Sequence, residues 1–220
     1  RIEWGLAVLL VGASAWRWRE GALRVILALS VAAVVLMQAV WLLPTLDARV
    51  ALIVAAGSET TRNTITAGLL ALIEHPEQWE AVRDDRSLLP GAVEEMLRWA
   101  SSTIYNRRTA TATVERHGET IRPGDKVVLW WQAANFDERA FEDPLTFDIR
   151  RSPNPHLSFG LGSHFCLGAN LARLEIRLMF DHLLDRVERV ESTGPVERTR
   201  SNKHAGYRHV PVALTARGGR

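Results

Sequence analysis

Phe159-Gly160-Leu161-Gly162-Ser163-His164-Phe165-Cys166-Leu167-Gly168 is the stretch that decides how this chain is read. It sets the only cysteine among closely spaced glycines, directly ahead of an amphipathic helical pattern over Leu167 to Val187. Glycines permit backbone conformations and close approaches that a Cβ resists. A thiol at the start of a helix sits at the positive end of the dipole, among unpaired amide N–H groups, and both favour the thiolate. With a single cysteine no intrachain disulfide forms, and the default for such a residue is a small buried hydrophobe. As a nucleophile it lacks any accompanying cysteine-hydrolase signature. As a zinc ligand it has only His164 for company, at an awkward spacing. A thiolate is also what a soft iron centre requires of its ligand, and as an axial donor it favours O–O cleavage.

The spacing Phe-x-x-Gly-x-x-x-Cys-x-Gly, filled by Phe159, Gly162, Cys166 and Gly168, resembles the signature of the cytochrome P-450 superfamily of heme-thiolate monooxygenases. The resemblance implies that Cys166 ligates heme iron and that these residues shape the cofactor's surroundings. Working outward, Glu95-Met96-Leu97-Arg98 puts opposite charges three apart on one helix face, where they can pair. Alone this is a commonplace surface pair. The family, however, has a Glu-x-x-Arg helix at about this distance before its cysteine, buried and joined by a later arginine. By position Arg151 matches that third member, with Arg150 as the alternative. Ala56-Gly57-Ser58-Glu59-Thr60-Thr61 resembles the family's distal helix. There the acid-alcohol pair, here Glu59 and Thr60, would manage the protons for dioxygen, and Gly57 would leave room for it. Arg108 and His164 match positions that pair with heme propionates, a role suited to cationic donors. Asn135-Phe136-Asp137-Glu138 and Phe141-Glu142-Asp143-Pro144 match two family turns. The match extends from about Leu52 to Val212.

The rest of the sequence supplies a frame for these motifs. Hydrophobic residues make up 47% and charged residues 24% of 220, a globular composition. A net charge of +2, with no basic run interleaved with aromatics, excludes a nucleic-acid stripe. Ala51 to Ile73 is apolar, interrupted by the polar run Gly57 to Asn63. Pro76 and Pro90 each mark a helix start, the second helix running through to Trp99. Thr103 to Trp131 is β-like, with a turn at His117-Gly118 and a strand pattern over Lys126 to Trp131. Asn135 to His156 is loop-rich, and loops and short strands follow Gly194. The expected fold is mainly α with small β-sheets, the C-terminal heme-binding half of the cytochrome P-450 fold.

Residues 1–46 differ in composition and form a separate apolar helical segment ahead of a partial heme-thiolate domain over 47–220. Val25 to Pro44 carries no charge over 20 residues, enough to span a bilayer, with Trp41 near its end and Arg17, Arg19 and Arg24 before it. Four of the eight tryptophans fall in this segment, which favours an interfacial setting over a core helix. The expectation is membrane association through residues 25–44 if they are native to the protein, and a cytoplasmic location otherwise. By the positive-inside rule the heme half would emerge on the face away from cytoplasmic electron donors. A fusion, an assembly artefact or a degenerate gene, with the junction between Leu43 and Ala55, is therefore also expected.

The resemblance implies an oxidoreductase that uses molecular oxygen and takes electrons from NAD(P)H through a ferredoxin and its reductase. Trp99 to Thr109 and Gly206 to Val212, among other segments, resemble bacterial sterol side-chain hydroxylases, so an apolar substrate of the steroid or long-chain kind is implied. The alternative is a truncated or fused, membrane-tethered remnant without activity.

Overall fold

A computed structural model describes residues 48–218, and the apolar run 25–44 lies outside the described residues. The chain divides between Ser58 and Glu59 into two units. Of the first, residues 48–58 are described, as the opening turns of helix α1 (Ala48–Glu74). There the Ser58 hydroxyl donates to the Val54 carbonyl four residues back. The polar run Gly57 to Asn63 interrupts the apolar pattern but not the helix, in line with the long helix that the resemblance implies here. Threonine and serine hydroxyls along it return to backbone carbonyls one turn earlier, Thr64 to Thr60 and Thr66 to Arg62, and so stay inside the helical pattern. Among the described residues no helix is long and apolar enough to cross a membrane.

The second unit is built on helices. After α1 come α2 (Pro76–Asp84), a single 3-10 turn (Arg86–Leu88) and α3 (Leu89–Ala100). Proline stands in the first turn of both α2 and α3, where its missing N–H costs nothing. Asp85 accepts the Ser87 amide and so caps the 3-10 turn. Helix α3 ends at Ser101, a non-glycine residue in the left-handed region at φ 39°, whose hydroxyl donates to the Arg98 carbonyl.

Among the described residues eight short strands form four two-stranded antiparallel ladders, arranged as two sets of nested hairpins. In the first set, β1 (Tyr105–Thr109) pairs with β4 (Lys126–Trp130) around β2 (Val114–Arg116) and β3 (Glu119–Ile121). The β2–β3 turn is His117-Gly118, both with positive φ, which is the twist a two-residue hairpin needs. Trp131 does not continue β4. It begins a short helix, α4 (Trp131–Asn135), which corrects the strand read through to that residue. The long helix α5 (Ala169–Arg186) starts two residues later than its pattern suggests, because Leu167 and Gly168 form the turn leading in. It ends at Arg186, where β5 (Val187–Ser192) takes over. β5 pairs with β8 (Val212–Ala216) around β6 (Glu197–Arg198) and β7 (Tyr207–His209).

The core of this unit lies between α1, α2, α3 and α5. Leu72, Val82, Met96, Ile176, Phe180 and Leu184 meet there with Phe147 and Ile149 from the long loop after α4. That loop is therefore a packed wall, not a free connection, and the cysteine segment follows directly from it.

Candidate functional site

Cys166 is exposed, three residues ahead of α5. Two hydrogen bonds fix its backbone: its amide donates to the Phe159 carbonyl at 3.0 Å, and its own carbonyl accepts the Ala169 amide at 3.3 Å. The first bond closes Phe159 to Cys166 into a loop, and a 3-10 turn over Gly162–His164 fills it. Gly160 and Gly162 have φ of 71° and 75°, so a residue with a Cβ would be strained at both. Gly168, the N-cap of α5, has φ −88°, and a Cβ there would meet nothing within 4 Å. Of the signature glycines, Gly162 answers a backbone demand and Gly168 does not.

The surface around the thiol is unusually apolar. Leu161 is 75% exposed, Phe165 51% and Leu167 98%, all within five residues of Cys166. His164 is exposed on the 3-10 turn, and Arg108 is exposed on β1, its guanidinium donating to the Arg107 carbonyl. Arg107 and Arg108 are the third and fourth residues of β1. An exposed thiol flanked by bulky apolar side chains in water suits a large apolar group that carries a soft metal, and Arg108 and His164 are side chains of the type that could take carboxylates. Among the described residues no cluster of three or more His, Cys, Asp or Glu could hold a metal ion by itself.

Behind the loop lies a fully buried ion-pair network. Arg98 grips Glu95 with two parallel bonds, Nε to Oε2 at 2.8 Å and Nη2 to Oε1 at 2.7 Å. Both side chains are 0% exposed. The other Arg98 donors go to the carbonyls of Asn135, Pro144 and Thr146, so all five N–H groups of the guanidinium are used. Trp99, Phe136 and Phe141 put their rings within 5.7 Å of its Cζ. Glu95 is completed by Arg151 Nε at 3.2 Å, Asn154 Nδ2 at 3.1 Å and the Asp148 amide at 2.9 Å. Arg151 in turn donates to the carbonyls of Glu142, Asp143 and Thr146. Arg150, the alternative third member, contributes only a backbone amide, to Asp148. A buried ion pair repays its desolvation only when its donors and acceptors are satisfied; every Arg98 donor and both Glu95 oxygens are, while the Oδ1 of Asn154 beside them is buried without a partner.

Several residues of this region were not singled out from sequence. Asn135 is fully buried at the end of α4 and ties four segments together. Its amide donates to the hydroxyls of Ser101 and Ser158, its side-chain oxygen accepts the Leu157 amide, and its backbone oxygen accepts Arg98. Ser158 then donates to the Leu97 carbonyl. The only sequence signal was the Asn-Phe-Asp-Glu turn, which gave no hint of burial. Glu94 was also missed. Arg173 forks its carboxylate at 2.6 and 2.9 Å, and His156 reaches it at 3.0 Å. Burial pushes the Glu94 carboxyl up, but hydrogen bonds and charge from His156 and Arg173 outweigh it and bring it down to about 2. Arg173 is raised above the usual arginine range, by Glu94 first and with a smaller contribution from the charge of Cys166.

Glu59 and Thr60 stand on α1. The Glu59 carboxylate accepts Arg62 at 2.6 Å and Asn63 at 3.4 Å from its own helix. The Thr60 carbonyl accepts the hydroxyls of Thr64 and Ser102, which links α1 to the residues just after α3. Gly57 is exposed, and a Cβ there would meet nothing within 4 Å.

Comparison with known proteins agrees with this picture. The family model described as cytochrome P450 matches residues 43–206. A methyl-branched lipid omega-hydroxylase of Mycobacterium tuberculosis is 52% identical over 163 residues, which cover 73% of this chain and 38% of that protein. A steroid C26-monooxygenase of Mycolicibacterium smegmatis is 46% identical over 166 residues, 74% of this chain and 41% of that protein. Among solved structures, P450BioI in complex with an acyl carrier protein ligated to hexadec-9Z-enoic acid superposes with a TM-score of 0.73 at 41% identity. That match covers 75% of this chain and 43% of the other. CYP109E1 of Bacillus megaterium in complex with testosterone gives 0.71 at 35%, over 74% of this chain and 44% of the other. The chain thus spans about two fifths of the length of the curated relatives it matches. With the cysteine loop, the buried Glu-x-x-Arg network and these matches together, the chain belongs to the cytochrome P450 family.

Proposed function

We propose that this chain is the cysteine-loop part of a heme-thiolate monooxygenase acting on an apolar substrate of the lipid or steroid class. The observation that carries the reading is an exposed Cys166 thiol on a closed loop, surrounded by leucine and phenylalanine side chains that water does not favour. The substrate class rests on the relatives, a lipid omega-hydroxylase and a steroid C26-monooxygenase. Heme fits the donor set of the loop. When bound, it supplies the activation of dioxygen that lets one oxygen atom enter a C–H bond while the other is reduced to water.

The chain's own residues have distinct tasks in this reading. The Cys166 Sγ would hold the iron. Phe159, Gly162 and Gly168 form the loop that presents it. The guanidinium of Arg108 and the ring of His164 take the propionate carboxylates. The Glu59 carboxylate would relay protons with the Thr60 hydroxyl through Oε2, the oxygen that Arg62 and Asn63 leave open, and Gly57 would keep the helix surface low for dioxygen. Glu95, Arg98 and Arg151 keep the wall behind the loop in shape. Electrons come from NAD(P)H through a ferredoxin and its reductase. The uncharged run 25–44 supports membrane contact, which vesicle flotation of the chain with and without residues 1–46 measures.

The deciding experiment is the absorbance spectrum of the reduced, carbon-monoxide-bound chain, with heme content quantified. A thiolate-type Soret band that is lost in Cys166→Ser is expected. A chain that takes up no heme, or gives a band unchanged by Cys166→Ser, would overturn the reading and leave an inactive relative of the family.

A further inference from the structure

Consecutive carboxylates on α3 face different tasks. Glu95 enters the buried network with Arg98 and Arg151, whereas Glu94 points to α5 and the segment before the cysteine loop. Arg173, in the second turn of α5, forks Glu94 through Nε and Nη2. The same planar guanidinium lies over the Phe159 ring, Cζ 4.7 Å from its centroid. His156 completes the group. Its Nδ1 accepts the Ser158 amide, so Nε2 carries the hydrogen and donates to Glu94. The His156 ring also packs beside Phe159, with centroids 6.0 Å apart. Phe159 in turn supplies the carbonyl that receives the Cys166 amide.

From this geometry we infer that Glu94, His156 and Arg173 are positioning residues for the iron-binding loop, with Arg173 clamping Phe159 and thereby fixing the Cys166 backbone. The inference rests on Cys166 being the heme ligand, as proposed above. None of the three residues supplies a ligand to the cofactor; they act through Phe159. A guanidinium is suited to this because its flat face can stack on a ring while its edge forks a carboxylate. A lysine in its place can make the charge contact with Glu94, but not both contacts at once. The Phe159 side chain is partly buried and packs against the core, so the clamp ties the glycine-rich loop to the packed helices.

The test is amide hydrogen exchange on the full chain without added heme, comparing wild type, Arg173→Lys, Arg173→Gln and Glu94→Gln. Arg173→Gln should speed exchange of the Cys166 amide roughly tenfold while the amides within α3 and α5 keep their protection, since one charge-assisted anchor of the loop is lost. Arg173→Lys should fall between it and wild type. Glu94→Gln keeps the shape of the side chain and should give a smaller change confined to the same loop, a milder arm should Arg173→Gln fold poorly. With hemin added, Arg173→Gln should lower the thiolate-type fraction of the reduced, carbon-monoxide-bound spectrum at equal heme content. Unchanged exchange at Cys166, or equal acceleration throughout α3 and α5, would overturn the positioning role. Because the exchange arm needs no cofactor, a wild-type chain that fails to bind heme would count against the functional reading and not against the clamp.

Discussion

At the residue scale the structure turns on how completely each charge is matched. Arg98 uses five donors on five acceptors in a dry setting, and no other cation can do so. Arg98→Lys offers three donors where five bonds stand and cannot fork Glu95, so at least two bonds are lost with the charge kept, and it should cost about 3 kcal/mol, the lower end of the range for breaking a buried pair. Arg151→Lys should cost less, because its contacts lie at the edge of the network, as urea unfolding of the two variants would show. An equal loss in both would mean that the number of satisfied donors is not what matters. Glu94 gives a pH signature. Its folded value of about 2 lies below the ordinary 4.5, so the stability it contributes is complete above pH 4.5 and is lost as pH falls towards 2. The gap corresponds to about 3 kcal/mol, and since the side chain is 31% exposed, solvent screening reduces this to about 1–2 kcal/mol. The difference in urea midpoint between wild type and Glu94→Gln should therefore shrink between pH 4.5 and pH 2. A difference that stays constant over that window would separate the pair from acid stability.

At the scale of elements, close helix packing makes a sharp comparison between two glycines. A Cβ at Gly91, near the start of α3, would come within 2.9 Å of the Ile149 carbonyl oxygen. A Cβ at Gly68, in the middle of α1, would come within 2.7 Å of Met96 Cγ and Sδ. Alanine gains about 1 kcal/mol of helix propensity at either place. At Gly91 the obstacle is backbone and the wall containing Ile149 has to shift, so Gly91→Ala should lose about 1–3 kcal/mol net. Methionine can rotate away, so Gly68→Ala should come out nearer to neutral, although Met96 is fully buried. Chemical denaturation of both variants checks the order, and a reversal would mean that the Met96 pocket is stiffer than the loop wall. The helices themselves were legible in sequence, because Pro76 and Pro90 and the apolar periods mark them locally. So was the hairpin at His117-Gly118, since a two-residue turn with positive φ has few other uses. The short helix from Trp131 was not, because an aromatic residue after Lys126 to Trp130 extends the strand pattern. The clamp on Phe159 was equally hidden: Glu94 meets His156 and Arg173 across 62 and 79 residues, and no local pattern carries that distance. What sequence supplied for the site was the cysteine loop and the Glu-x-x-Arg pair, whose members lie close together in the chain. Asn135 and Asn154, which complete the polar network, became visible only through their partners.

At the scale of the whole molecule, the described surface keeps many large apolar side chains in water. Leu145, Leu161, Phe165, Leu167 and Leu171 are all more than half exposed. Some of these surround Cys166, so a ligand that covers them and takes the thiolate at the same time should stabilise the folded chain by more than surface adsorption does. Hemin at about one hundred times its dissociation constant contributes about 2.7 kcal/mol to folding. For a chain of this size that corresponds to a rise in thermal midpoint of about 5–10 °C, since each kcal/mol is worth roughly 2–4 °C. The rise should grow with the logarithm of hemin concentration, as expected for binding linked to folding. In Cys166→Ser the apolar contacts remain but the iron–sulfur bond is gone, so the rise should be much smaller. Scanning calorimetry of both chains over a hemin series separates the two contributions. An identical rise in wild type and Cys166→Ser would show that hemin merely covers the exposed leucines, and that the thiolate adds nothing to the stability of this chain.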